Sequence, residues 1–270
     1  MRKMYLTDYH LHTKFSVDCD AVPEQVCEAA IAQGLSEIAL TDHMDLLSDK
    51  PYSYILDCPA WYENMKMLVD RYSSKIKIKM GVELGQPQCH PSEAQAFLDQ
   101  YPLDFIIGSI HNLDNDVDVY YYDFQKNDYR EVYPRYIQAM KVLATDWDFD
   151  VLGHITYPSR YVTQKTGIHP DVMVWQDLFA EVFRILIARG KGLELNLSGI
   201  ARGGGDPMPV PELMKLYRQC GGEIVTVGSD AHFAAQAGTV SRLGQEMLQQ
   251  LGFKYITVFK DRKPAFIKIG

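Results

Sequence analysis

Short runs of hydrophobic, mostly β-branched or aromatic residues alternate along this chain with longer segments whose hydrophobic positions recur every three or four residues. The short runs predict buried β-strands, and the longer segments predict amphipathic helices. Strands are predicted at residues 4–10, 37–41, 76–83, 105–110, 151–155, 192–197, 224–229 and 255–259. Helices are predicted from Pro23 to Gly34 and at residues 61–72, 92–100, 128–144, 171–189, 211–219 and 242–251.

This alternation favours parallel strands joined by right-handed helical crossovers. A length of 270 residues is compatible with one α/β barrel or with two smaller domains. No Ser-, Gly- or Pro-rich linker divides the chain, so we expect a single domain over residues 1–270. The longest irregular stretches, 44–59, 112–127 and 157–169, each follow a predicted strand, where α/β barrels carry their chemistry.

Composition narrows the class of protein. The chain is 47% hydrophobic and 23% charged, which is typical of a globular protein with a sizeable core. No apolar run approaches the roughly 18 residues of a membrane span, and residues 1–12 contain charges and histidines where a secretory signal would be apolar. We therefore expect a soluble, cytoplasmic protein that does not contact a membrane.

The formal net charge of −8 argues against a broadly basic surface for long nucleic acid, but it allows a small anionic substrate held by local cations. The five cysteines are scattered and form no CxxC pair. This distribution indicates neither a disulfide framework nor a thiolate zinc site.

Candidate metal ligands occur where the predicted strands end. His10 and His12 are two residues apart in an extended segment, so both imidazoles can face one ion. Later strands end at or just before further ligand-type residues, namely His43, Glu83, His111, His154, Asp230 and His232. In a parallel barrel all of these side chains converge on one rim. The remaining histidines, His90 and His169, each precede a proline and are interpreted as loop residues.

From Asp8 to His232 these motifs resemble the polymerase and histidinol phosphatase (PHP) superfamily, and within it the monofunctional histidinol-phosphate phosphatases. The resemblance implies a distorted (β/α)7 TIM-like barrel with three divalent metal ions at the carboxyl ends of its strands. It also implies the three ligand sets, which are His10, His12, Glu83 and Asp230; Glu83, His111 and His154; and Asp18, His43 and His232. Many superfamily members have a histidine in place of Asp18, and Asp20 is a nearby competitor for that role.

Charge counting fits phosphate chemistry at such a centre. Three divalent ions contribute +6 and the carboxylates of Asp18, Glu83 and Asp230 contribute −3, which leaves about +3 in the pocket. Imidazole and carboxylate ligands without thiolates suit zinc, manganese or iron. The protein is acidic overall, but its pocket is then locally cationic.

Two arginines follow strand ends, Arg160 and Arg202. A guanidinium can hold two phosphate oxygens at once, and the resemblance implies that both arginines bind the substrate phosphate. The alternative for each is a surface arginine paired with an acid. The glycines at 203–205 are interpreted as a flexible loop, because no helix clearly begins there.

The resulting hypothesis is metal-dependent hydrolysis of a phosphate monoester by a hydroxide that bridges the two ions joined by Glu83. Asp230 and His232 are candidates for moving protons, and Arg160 is a candidate for offsetting charge in the transition state. The resemblance implies L-histidinol phosphate as the substrate, which gives L-histidinol and phosphate in histidine biosynthesis. The alternatives are a nucleotide or oligonucleotide phosphoesterase on the same scaffold and a non-catalytic PHP-like regulatory module.

Three further observations leave alternatives open. Asp8 and Asp42 stand beside the histidine motifs, where they either orient imidazoles or make structural hydrogen bonds. The tyrosines at 120–122 either stack on a base or an imidazole, or pack against the barrel.

Overall fold

A computed structural model of the chain describes residues 4–46, 58–113, 117–203 and 205–270. The strands are β1 (Thr7–Asp8), β2 (Glu37–Asp45), β3 (Lys77–Gly85), β4 (Phe105–Ser109), β5 (Asn112–Leu113), β6 (Val117–Asp118), β7 (Val151–Leu152), β8 (Gly192–Asn196), β9 (Val225–Gly228), β10 (Tyr255–Lys260) and β11 (Lys263–Lys268). The helices are α1 (Pro23–Ala32), α2 (Cys58–Tyr72), α3 (Pro91–Gln100), α4 (Tyr129–Asp146), α5 (Tyr157–Thr166), α6 (Gln176–Ala188), α7 (Ser198–Ala201), α8 (Pro211–Gln219) and α9 (Ser241–Gln250). In these described ranges no helix has both the length and the apolar character that crossing a bilayer requires.

The main sheet has seven strands in the order β1-β2-β3-β4-β7-β8-β9, and every neighbouring pair is parallel. Its two edges meet just after β1, where the Tyr9 amide donates to the Val227 carbonyl at 2.9 Å and the Asp230 amide donates to the His10 carbonyl at 2.8 Å. The sheet is therefore a nearly closed barrel surrounded by helices. This confirms the predicted distorted (β/α)7 fold.

The hairpin of β10 and β11 lies at the end of the barrel opposite the site. Phe259 packs its ring 5.0 Å from Phe105 and 6.3 Å from Tyr9, and these rings belong to one buried cluster inside the barrel. At the hairpin tip, Arg262 Nε lies 2.5 Å from Asp150 Oδ2. The predicted strand at 255–259 is thus present, but it pairs antiparallel with β11 outside the barrel.

Local differences from the sequence expectations have local causes. The stretch 157–169, expected to be irregular, forms α5 over most of its length, because Pro158 suits a first helical turn and Gly167 ends the helix at φ 72°. The stretch 112–127 contains the β5–β6 pair. The predicted helix 171–189 is divided into a 3-10 turn (Val172–Trp175) and α6. Most of the predicted loop 44–59 lies outside the described residues.

Candidate metal centre

The buried carboxylate of Glu83, near the end of β3, lies at the centre of a cluster of imidazoles. Among the described residues, five histidine nitrogens surround it, namely His154 Nε2 at 2.7 Å, His10 Nε2 at 3.0 Å, His43 Nδ1 at 3.2 Å, His111 Nε2 at 3.2 Å and His12 Nε2 at 3.4 Å. Burial alone would raise the pKa of Glu83, but the His10, His111 and His43 imidazoles hold that pKa well below its usual range. Glu83 is therefore a carboxylate in this setting.

Strand register brings these groups together. In the parallel pairing of β2 with β3, His43 lies directly beside Glu83. On the other side β4 pairs with β3, and Ser109 at the end of β4 donates a hydrogen bond from Oγ to Glu83 Oε1 at 2.7 Å. Since the carboxyl ends of parallel strands share one rim, ligands far apart in sequence become neighbours.

Asp230 supplies the second buried carboxylate of the cluster. Its Oδ1 lies 3.5 Å from His12 Nε2 and 3.9 Å from His10 Nε2. Burial favours a higher pKa for Asp230, yet the neighbouring His10 and His12 lower it well below the ordinary value. The residue has a left-handed backbone at φ 51°, a conformation that is uncommon outside glycine and is enriched at active sites.

A third group lies at the mouth of the cluster. His232 Nε2 is 3.1 Å from Asp18 Oδ2, and His43 Nε2 is 3.7 Å from Asp18 Oδ1. Although partial burial opposes ionisation, the hydrogen bond from His232 and the charge of His43 lower the pKa of Asp18. Asp18 therefore joins the cluster, whereas Asp20, the competitor named from sequence, is not among the residues that line the pocket described below.

Two buried carboxylates that the sequence analysis missed orient the imidazoles from behind. Glu194 Oε1 lies 2.6 Å from His10 Nδ1, and Asp45 Oδ2 lies 3.1 Å from His111 Nδ1. Such contacts turn the opposite ring nitrogen toward the centre, an arrangement typical of metal-binding histidines. Glu194 is buried in β8, so a charged residue between the apolar residues Leu193 and Leu195 was the available signal.

The two aspartates left open by the sequence have different roles. Asp42 accepts a hydrogen bond from Ser16 Oγ at 2.9 Å, and that hydroxyl lies 3.0 Å from His12 Nδ1. Asp42 thus helps to orient His12 through Ser16. Asp8 instead accepts from the backbone amides of Ser229 and Gly238, both at 2.9 Å, and ties β1 to the strand-exit loops.

One glycine leaves room for the Glu194–His10 pair. A Cβ added to Gly228 would lie 2.2 Å from Glu194 Oε1 and 2.5 Å from His10 Cβ. Neither the Glu194 nor the His10 side chain can move away, because both are buried inside the barrel. Glycine is required here by the close approach of the strands' side chains.

The donor set fits divalent metal ions. Three groups of ligand atoms each lie within 4.8 Å of one another, formed by His10, His12 and Glu83; by His43, Glu83 and His111; and by His12, His43 and His232. Among the described residues, no group forms a hydrogen bond with the buried atoms His12 Nε2 and Asp45 Oδ1. Burial, followed by the charges of His232 and His43, lowers the pKa of His12 well below its usual value, which favours the neutral imidazole that metal binding requires.

A pocket of about 280 Å³ opens above the cluster, and Arg160 and Arg202 line it together with Asp18, Glu83, His154 and Asp230. Arg160 Nη2 donates to Ser198 Oγ, and Arg202 Nη2 lies 3.4 Å from His232 Nδ1. Both arginines therefore face the candidate centre. His90 and His169 lie elsewhere, beside Glu93 and Asp206, and Gly204 of the glycine loop falls outside the described residues.

Residues 8–198 match the PHP domain. The chain belongs to the PHP domain family. A Lactococcus lactis protein named histidinol-phosphatase is 28% identical over 268 residues, with 95% of each chain covered. The PHP fold of this chain also superposes with a TM-score of 0.85 on a crystal structure of histidinol phosphate phosphatase from Lactococcus lactis complexed with zinc, L-histidinol and phosphate. That pair is 26% identical and covers 97% of this chain and 100% of the other.

A second structure supports the fold assignment. The putative histidinol phosphatase from Listeria monocytogenes superposes on this PHP chain with a TM-score of 0.76 at 18% identity, covering 86% of this chain and 97% of the other.

All nine ligand residues predicted from sequence meet at one rim, whereas their metal-binding roles remain predictions. They are His10, His12, Asp18, His43, Glu83, His111, His154, Asp230 and His232.

Removing the charge behind His10 tests the orientation of this centre. We expect Glu194→Gln to weaken zinc binding by about ten- to a hundredfold, because the amide no longer fixes the imidazole and its tautomer as the carboxylate does. Zinc affinity can be measured by competition with a chromophoric chelator. Glu246→Gln, at an exposed position of α9, serves as the control and should leave the zinc affinity unchanged. An unaltered affinity in the Glu194 variant would contradict the proposed orienting role.

Proposed function

We propose that this protein is a histidinol-phosphatase, a metal-dependent hydrolase that converts L-histidinol phosphate to L-histidinol and phosphate. The observation that carries this proposal is the meeting of the metal-ligand cluster and two arginines in one pocket. The similarity to the Lactococcus histidinol-phosphatase over 95% of each chain supports the substrate. A small phosphorylated substrate and a place in the cytoplasm are part of the same proposal.

We assign the ligands of the divalent ions in three groups that share Glu83 or border it. The first is His10, His12, Glu83 and Asp230, the second is Glu83, His111 and His154, and the third is Asp18, His43 and His232. Glu83 suits a bridging role, because its Oε2 lies near His10 and its Oε1 near His154. Zinc, manganese and iron all suit these nitrogen and oxygen donors. When bound, such ions act as Lewis acids and lower the pKa of water toward neutrality.

The arginines bind the phosphoryl group. Arg160 lies at the start of α5 and Arg202 directly after α7, so two crossovers deliver guanidinium groups to the same pocket. Each planar group donates two parallel hydrogen bonds to phosphoryl oxygens. Arg160 also offsets negative charge that develops on those oxygens in the transition state.

Asp230 and His232 handle the protons. In the reaction a water oxygen bonds to phosphorus, the bond from phosphorus to the ester oxygen breaks, and the leaving alkoxide takes up one proton. The attacking water loses its proton while hydrogen-bonded to Asp230, whose Oδ1 lies 3.5 Å from His232 Nδ1. His232 would hold its ion through Nε2, which faces Asp18, so Nδ1 is the ring nitrogen that can pass a proton on to the alkoxide.

Phosphate release by the purified protein tests the function. With zinc, manganese or iron supplied, we expect kcat/KM for L-histidinol phosphate to exceed that for AMP and 4-nitrophenyl phosphate by about a hundredfold or more, because specific polar contacts reject analogues that lack the matching group. Comparable rates on all three esters would contradict the substrate but leave a general phosphatase. A protein that binds metal but releases no phosphate would contradict enzymatic function altogether.

A lysine at position 160 tests the phosphate contact. We expect Arg160→Lys to lower kcat/KM for L-histidinol phosphate about ten- to a hundredfold, because lysine keeps the charge but loses the planar pair of donors. Steady-state kinetics and metal content should be measured together. Arg242→Lys, at an exposed position of α9, is the matched control. Full activity of the Arg160 variant would show that this side chain does not bind the phosphoryl group.

A further inference from the structure

The wall of the pocket beside His111 carries a carboxylate that the metal-ligand assignment does not use. Asp118 lines the pocket together with the rings of Tyr120, Tyr121 and Tyr157. Arg160 and Arg202 line the same pocket, so it contains cationic groups suited to phosphate and a separate anionic group. A pocket with both signs of charge fits a substrate that carries both signs.

The short β5–β6 pair sets the position of Asp118. Its register pairs Asp118 with Asn112, the residue after His111, and the Val119 amide donates to the His111 carbonyl at 2.9 Å. The carboxylate therefore stands beside a residue of the metal-ligand cluster and close to where the reacting end of a substrate lies.

The hydrogen bonds of Asp118 occupy only part of its carboxylate. Oδ1 accepts from the Tyr120 amide at 2.7 Å and from the Tyr157 hydroxyl at 3.3 Å. In the part of the chain that the structure describes, no lysine or arginine forms an ion pair with Asp118. The nearby Lys165 donates instead to the carbonyls of Tyr120 and Tyr122. A largely buried carboxylate is costly, and the charge of the nearby His111 offsets only part of that cost, so a cationic ligand that pairs with Asp118 would stabilise it.

The proposed substrate supplies this cation. L-Histidinol phosphate bears a primary amine on the carbon next to its phosphorylated CH2 group, and this amine is an ammonium ion at neutral pH. The imidazole has a pKa near that of histidine, about 6.5, and is mostly neutral at pH 7. The ammonium is thus the group that a carboxylate close to the phosphate site recognises best.

Building on the proposed function, we propose that Asp118 binds the ammonium group of the substrate and makes the enzyme specific for phosphate monoesters with an amine next to the ester carbon. The half-exposed rings of Tyr120 and Tyr121 at the pocket mouth then flank the imidazole. Charged hydrogen bonds are worth about 1.5–3 kcal/mol, and a loss of that size corresponds to about a ten- to hundredfold weaker interaction.

A substrate pair that differs by one group tests this inference. KM and kcat are measured for L-histidinol phosphate and for 3-(imidazol-4-yl)propyl phosphate, which lacks only the amine, with wild type, Asp118→Asn and Asp118→Ser. Both replacements keep an oxygen that can accept from the Tyr120 amide, so the local turn is retained. Thermal melting and metal content identify any variant that does not fold, and the second variant then carries the test.

We expect both variants to raise KM for L-histidinol phosphate about ten- to a hundredfold with little change in kcat, and to leave the kinetics of the amine-free ester unchanged. Asp171→Asn is the matched control, because Asp171 also accepts from the amide two residues on, at 3.0 Å, at the start of a 3-10 turn and is not among the residues that line the pocket.

Equal effects on both esters, or no effect on either, would overturn the role of Asp118 while the proposed function stands. Failure of the wild-type protein to hydrolyse L-histidinol phosphate would overturn both.

Discussion

The burial of one carboxylate among five imidazoles is the constraint on which this structure depends. A buried charge is destabilising by several kcal/mol unless other charges compensate it. Around Glu83 that compensation comes from imidazoles: burial would lower the pKa of His10, but Glu194 and Glu83 raise it well above its usual value. For His111, burial would likewise lower the pKa, but Asp45 and Glu83 raise it well above its usual value. Divalent ions can replace the protons on such imidazoles, because metal binding displaces protons from its ligands.

The barrel supplies what this cluster requires. Parallel strands bring Glu83, His111 and His154 from three successive strand ends to one rim, and the closure of β1 against β9 adds His10. The opposite end is filled by apolar rings under the β10–β11 hairpin, so the metal-ligand cluster opens at the other mouth of the barrel. Because the barrel fixes the backbone on all sides, the ligand atoms are held in place before any ion binds.

The sequence was sufficient to predict the site residues whose positions can be recognised from the neighbouring sequence alone. His10 and His12 share one face of an extended segment, and His43, Glu83 and His154 each mark a strand end. Glu194 and Asp45 could not be predicted in the same way, because their roles depend on which strands are adjacent and in which register. Helix α5 was missed since its first residues, Tyr-Pro-Ser-Arg, are also typical of a turn. Asp118 required the β5–β6 pairing, which two-residue strands do not reveal in a sequence.

The central claim is that Glu83 links metal ions at the rim of the barrel. Anomalous diffraction from zinc-loaded crystals, collected at the zinc absorption edge, tests this claim most directly. The account predicts anomalous peaks at about 2.0–2.2 Å from both oxygens of Glu83, with imidazole nitrogens of His10 and His154 at similar distances. Peaks confined to the outer surface, or a Glu83 carboxylate that touches no ion in a fully loaded protein, would contradict it.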